Sequence, residues 1–158
     1  MPRVTAMEPP ADLTADGIRD EKVKVLKSLR PFADADDVGR HVVRAQYTAG
    51  TSGGRAVPGY REEDRIAPES MTEAYVAVRI QIDNWRWQGV PFYLRTGKRM
   101  QERLAEIVVT FRDVPHAILP TASGTREGNK LVIQLQPEES LSLHMMAKVP
   151  GDEMRVRP

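Results

Sequence analysis

Cysteine is absent from the 158-residue chain, which removes disulfide frameworks, thiolate zinc sites, iron–sulfur clusters and cysteine nucleophiles together. A reducing compartment fits this absence. No stretch approaches about 18 consecutive apolar residues, and Met1 to Pro10 carries no cationic segment followed by an apolar run. The sequence therefore reads as soluble and cytoplasmic, with no membrane partner. An excess of one charge is missing too: 23 Lys+Arg against 22 Asp+Glu leave a formal charge of +1. A general polyanion binder carries a clear basic excess, so no nucleic acid partner is expected.

The chemistry of several enzyme classes is also missing. His41, His116 and His144 lie far apart and in none of the spacings that converge on a metal, so no metal site is expected. His144 falls on the polar side of a predicted strand and reads as an ordinary half-exposed histidine. There is no G-x-S-x-G elbow for a hydrolase. Gly54 to Gly59 has the spacing of a Walker loop, but Tyr60 and Arg61 replace its Lys-Ser/Thr pair and Pro58 removes a backbone donor. That segment reads as a surface loop. No G-x-G-x-x-G follows a strand, so no Rossmann domain is expected in this chain.

What is present is enough chain for one domain with a sizeable core. A nucleotide-binding domain and a substrate domain each take about 100 residues or more, so at most half of a two-domain enzyme fits. The segment Thr14 to Leu29 places Ile18, Val25, Leu26 and Leu29 at helical spacing, with Thr14 or Asp16 available as a cap and Pro31 as a stop. Asp34, Asp36 and Asp37 read as a solvated turn. From there the period changes to two. Val42 to Tyr47 is dominated by small and apolar residues, and Ala74 to Ile82 alternates cleanly. Ile107, Val109 and Phe111 repeat the alternation, as do Leu131, Ile133 and Leu135, and then Leu141, Leu143 and Met145. Gln136 to Ser140 has a length suited to a hairpin. The pattern predicts an α+β fold, a mainly antiparallel β-sheet with helices on one face.

One segment concentrates charge. Arg95, Lys98, Arg99 and Arg103 put four cations into nine positions around Gly97, directly after the aromatic run from Trp85 to Tyr93. Cations beside a turn that can offer backbone N–H groups suit a small phosphorylated ligand. A basic hairpin tip is the other reading, and composition leaves both open.

Seven strings occur in order: Met7-Glu-Pro-Pro10, Arg19-Asp-Glu-Lys-Val-Lys-Val-Leu26, Gln46-Tyr-Thr-Ala-Gly50, Pro58-Gly-Tyr-Arg-Glu-Glu63, Ile82-Asp-Asn-Trp-Arg-Trp87, Gly89-Val-Pro-Phe-Tyr-Leu-Arg-Thr-Gly-Lys98 and Leu131-Val-Ile-Gln-Leu-Gln-Pro137. Together they resemble the C-terminal domain of glucose-6-phosphate dehydrogenase, from about residue 7 to about residue 151. The resemblance implies an enzyme that oxidises glucose 6-phosphate to the phosphogluconolactone with NADP, or in some members NAD, in the pentose phosphate pathway. It implies Lys98 and Arg103 as substrate-binding residues, a large antiparallel sheet, and a homo-oligomer formed through that sheet. Arg95 matches a position that binds a second, structural NADP in some members. Leu104 stands where such members carry a cation, which argues against that second site.

Two expected parts of the family are not in the sequence: the Arg-Ile-Asp-His-Tyr-Leu-Gly-Lys-Glu motif with the general base, and the phosphate-binding glycine loop. The expectation is therefore residues 1–158 as a single partial domain, with no catalytic residue of its own and inactive alone. The competing expectation is a stand-alone phosphosugar-binding or assembly module without catalysis.

Overall fold

A computed structural model describes residues 5–113, 128–148, 150–151 and 156–157. His116 lies outside the described residues. The chain divides into two compact units, Met1–Met100 and Gln101–Pro158. The architecture is α+β with antiparallel strand pairing throughout the described residues.

In the first unit, helix α1 spans Ala15–Lys27. Thr14 is its cap: the Oγ1 accepts from Gly17 N at 3.1 Å, satisfying one of the helix's free donors. The helix stops two residues short of the sequence expectation, before Pro31 can act. Leu29 instead leaves the helix to form a β-bridge with Ile82, flanked by Arg30 N to Gln81 O at 3.0 Å and Asp83 N to Ser28 O at 2.7 Å. Beside that bridge the Arg30 guanidinium grips the Asp83 carboxylate through both oxygens, at 2.9 and 2.7 Å.

The acidic run does not form a turn. Ala35–His41 is a second helix, α2. Asp34 caps it by accepting from Asp37 N at 2.8 Å, and the Asp37 carboxylate accepts in return from Ala33 N at 3.1 Å. That backbone hydrogen bond is the main cause of Asp37's lowered pKa. His41 closes the helix, with Nδ1 2.9 Å from Asp37 O.

Strand β1 (Val42–Ala45) pairs with β4 (Tyr75–Ile80), which pairs with β5 (Phe92–Gly97). Between β1 and β4 lies a hairpin of β2 (Gly50–Ser52) and β3 (Arg55–Val57), then a 3-10 turn at Tyr60–Glu62. What read as a glycine-rich loop is thus in part a hairpin. Gly53 and Gly54, at φ +57 and +77, supply the two left-handed positions of its tip.

The core of this unit is small. Ala6, Val25 and Ile82 form its buried centre, with Met7, Leu29, Trp87 and Phe92 packed around them. Trp87 lies edge-on to Phe92, ring centroids 5.2 Å apart, and its indole N–H donates to Ala6 O at 2.9 Å. Leu26, expected on the inner stripe, is exposed.

The second unit is a three-stranded sheet of β6 (Ala105–Thr110), β7 (Lys130–Gln136) and β8 (Ser140–His144), plus a short pair of β9 (Ala147–Lys148) and β10 (Val156–Arg157). Directly opposed residues share a face. Ile107 faces Ile133 and Val109 faces Leu131, while Leu143 and Leu141 complete the rows. The alternation predicted these strands and their hairpin, but not that there would be two separate three-stranded sheets.

Candidate functional site

The turn after β5 carries the candidate site, and its main chain is held from the sheet. Ala74, buried just before β4, donates its N–H to Ala45 O at 2.9 Å and accepts from Lys98 N at 2.8 Å. The main chain at Lys98 is thereby tied across β4 to β1. Gly97 is required by a close approach, because a Cβ there would sit 2.8 Å from the Tyr75 ring and 3.0 Å from Met100 Sδ. The Gly-Lys pair is a packing necessity followed by a pinned lysine.

Lys98 itself is exposed, and its ammonium makes no hydrogen bond or salt bridge among the described residues. Its neighbour behaves differently. Arg99 has φ +52, a left-handed conformation that costs a non-glycine residue on the order of 1 kcal/mol. Its Nε donates to Glu63 Oε1 at 2.9 Å, a second guanidinium nitrogen donates to the same oxygen, and its Cζ lies 5.5 Å from the centre of the Tyr47 ring. The Tyr47 hydroxyl donates to that same Glu63 oxygen at 2.9 Å. Hydrogen bonds from Arg99 and then Tyr47 hold the Glu63 carboxyl below its ordinary pKa, and the charge of Lys98 adds to the effect.

The supports of this cluster come from two other segments. Tyr60 N donates to Tyr47 O at 2.9 Å, and the two rings meet edge-on with centroids 5.8 Å apart. Gln46 donates to the carbonyls of Ser70 and Thr72, both at 2.8 Å, and accepts from Arg61 Nε at 2.9 Å. Glu63 and Tyr47 were not singled out from the sequence. Their only signal was membership of the strings at residues 46–50 and 58–63, which the fold brings onto the Gly-Lys turn.

The cations of the first unit are therefore not one cluster. Arg99 is committed to Glu63. Arg95 is exposed on β5 opposite Ala77, on the face that also carries Tyr93, whose ring lies 6.0 Å beneath the Arg79 guanidinium. Arg103 is exposed in the second unit, ahead of β6, and its side chain has no hydrogen-bonding or ionic partner among the described residues. Leu104 beside it offers no charge. No α-helix follows a strand among the described residues, so they provide no glycine-turn and helix cradle for a dinucleotide pyrophosphate. Among the described residues no group of three or more His, Asp or Glu could hold a metal, and no helix is long and apolar enough to cross a membrane. His41 is tied to Asp37 O, and His144 lies exposed at the end of β8.

Among the described residues, then, an exposed lysine on a main chain pinned across two strands stands on an antiparallel α+β scaffold. The family model described as glucose-6-phosphate dehydrogenase, C-terminal domain, matches residues 2–158, and the chain belongs to that family. It is 52% identical over 148 residues to glucose-6-phosphate 1-dehydrogenase of Zymomonas mobilis, covering 94% of this chain and 30% of that protein. With the enzyme of the same name from Mycolicibacterium smegmatis it shares 51% identity over 156 residues, 98% of this chain and 31% of that one. A solved structure, glucose-6-phosphate dehydrogenase in complex with its substrate glucose-6-phosphate, superposes with a TM-score of 0.78 at 34% identity, over 98% of this chain and 30% of that chain. The chain thus spans about a third of the length of the relatives it matches.

Proposed function

We propose that this chain is the substrate-binding and assembly part of a glucose-6-phosphate dehydrogenase, with Lys98 and Arg103 as its substrate-binding residues for glucose 6-phosphate. The observation that carries this reading is the contrast at the turn: Arg99 is consumed by Glu63 while the adjacent Lys98 ammonium is exposed and unpaired on a main chain fixed by Ala74. A fixed cation neutralises and orients the phosphate, so that binding energy gained far from the reacting carbon positions the sugar's C1. Kinship with enzymes named for this substrate supports the same ligand.

Bound NADP, or NAD, would supply the acceptor for a hydride from C1, and a base would take the proton of the C1 hydroxyl, while the residues of this chain would hold and orient the sugar phosphate. Base and dinucleotide site lie outside the two units, so the chain alone reduces no NADP. Leu131, Ile133, Leu141 and Leu143 form an apolar face on β7 and β8, and the β8 pair is largely exposed at 71% for Leu141 and 58% for Leu143. A surface of this kind suits homo-oligomer contact through the sheet. The setting is the cytoplasm. Arg95 is the residue that a structural NADP would meet, and Leu104, at a position where members with that site carry a cation, argues against it.

Calorimetric titration of the chain with glucose 6-phosphate tests the reading. Binding should be detectable at millimolar ligand, lost in Lys98→Ala, and weakened in Arg103→Ala. Absence of binding by the unsubstituted chain, or full binding by Lys98→Ala, would refute it.

A further inference from the structure

We propose that Glu63 is a positioning residue for this phosphate site: with the Tyr47 hydroxyl it clamps Arg99, and so fixes the turn that presents Lys98. The inference rests on the reading of Lys98 as the phosphate-binding cation.

Lys98 sits between two constraints of different kinds. On its N-terminal side the glycine at 97 is wedged against the Tyr75 ring, and the Lys98 N–H is engaged by Ala74 O. On its C-terminal side Arg99 occupies the left-handed region, which a branched or long side chain keeps only where its surroundings over-determine it. Those surroundings are the single Glu63 oxygen that receives both guanidinium donors and the tyrosine hydroxyl, and the Tyr47 ring beneath the cation. The clamp is rooted in the interior. Tyr60 is buried, holds the Tyr47 carbonyl through its own N–H, and accepts from Glu63 N at 3.3 Å. A carboxylate 36 positions away in sequence therefore dictates the backbone next to the binding lysine.

Simple electrostatics and the clamp make opposite predictions. A carboxylate near an anion site repels the anion, so its neutralisation should tighten phosphate binding. Loss of the clamp should loosen it, because the Lys98 turn is no longer held. The sign of the change decides between them.

The experiment uses the whole 158-residue chain with glucose 6-phosphate as the titrant, alongside amide hydrogen exchange. Glu63→Gln should weaken binding roughly tenfold, in the range seen when a positioning partner of a ligating group is lost. Glu63→Asp should recover part of the loss. Exchange at the Lys98 amide should accelerate in Glu63→Gln, while amides of the central strand β4 keep their rates. Tyr47→Phe, which removes only the hydroxyl, should give a smaller change in the same direction and stands in where Glu63→Gln does not fold. Binding by Glu63→Gln equal to or tighter than that of the unsubstituted chain overturns the proposal. Where the unsubstituted chain does not bind, or Lys98→Ala binds fully, the phosphate reading has failed instead. The clamp is then judged by exchange alone, and unchanged exchange at Lys98 overturns it.

Discussion

The two units use similar strands to opposite ends. In Met1–Met100 the apolar residues of α1, the 82–92 segment and Ala6 and Met7 close on one another, and every buried residue among those described belongs to this unit. In Gln101–Pro158 the alternation is as clean, but no described residue is buried and β8 is exposed along its whole length. Period-two patterning identifies which residues share a face. It carries no information on what covers that face, because the cover comes from elsewhere in the chain or from another chain.

The largest effect expected from this contrast is at Ile82, which is 1% exposed. Ile82→Ala should cost about 2–5 kcal/mol through lost transfer energy and the cavity left behind, read as a fall in the denaturation midpoint. Leu143→Ala, by comparison, should shift stability by less than about 0.5 kcal/mol. A large loss from Leu143→Ala would break the comparison. Next in size is Gly97→Ala. Its Cβ meets the Tyr75 ring at 2.8 Å, and relief by displacing packed atoms costs about 1–3 kcal/mol. Chemical denaturation and the position of the Lys98 amide resonance would both report it.

A smaller effect concerns pH. Glu63 has a folded pKa below its unfolded value of 4.5 because of Arg99 and Tyr47. Its contribution to stability is therefore fully present above about pH 4.5 and is lost as pH falls through the depressed folded value. Glu63→Gln should flatten the acid limb of the stability curve of the first unit and leave stability at pH 7 to 9 independent of pH at this position. The smallest change in folding should come from Leu141→Ser with Leu143→Ser, which should leave the fold intact. The same pair should reduce self-association in sedimentation, and an unchanged association state would detach the exposed face from assembly.

Much of this organisation was legible because it rests on local periodicity. The first helix and the β6 to β8 strands follow from spacing, while the structure chose Thr14 over Asp16 as the helix cap. Helix α2 was not legible: within seven residues, Val38 is its only large aliphatic side chain, so no stripe exists to read, and its aspartates act as caps. Strand β5 was folded into an aromatic and basic run because Phe92 and Leu94 alternate with only Tyr93 and Arg95 before the turn intervenes.

At the candidate site the sequence identified Lys98 through the Gly-Lys string. It could not separate Lys98 from Arg99, since the partner that removes Arg99 from play is distant in sequence and near only after folding. Six of the seven strings, those of the first unit, sort physically. Those at residues 46–50, 58–63 and 89–98 meet at the Lys98 turn. The strings at 7–10, 19–26 and 82–87 meet in the small core, and outside it the exposed Arg86 reaches Glu8 at 2.5 Å.

That core sets an order of events during synthesis. Trp87 holds Ala6 from 81 positions away, and Arg30 holds Asp83 from 53 positions away. A ribosome adds about 5–20 residues per second, so α1 leaves it several seconds before the segment it must dock against has been made. Closing loops of that length is entropically unfavourable until the distant contacts form. Until Ile82 and Trp87 emerge, Val25 and Leu29 have only Ala6 and Met7 of their core to meet, and the nascent helix keeps most of its apolar stripe open to solvent.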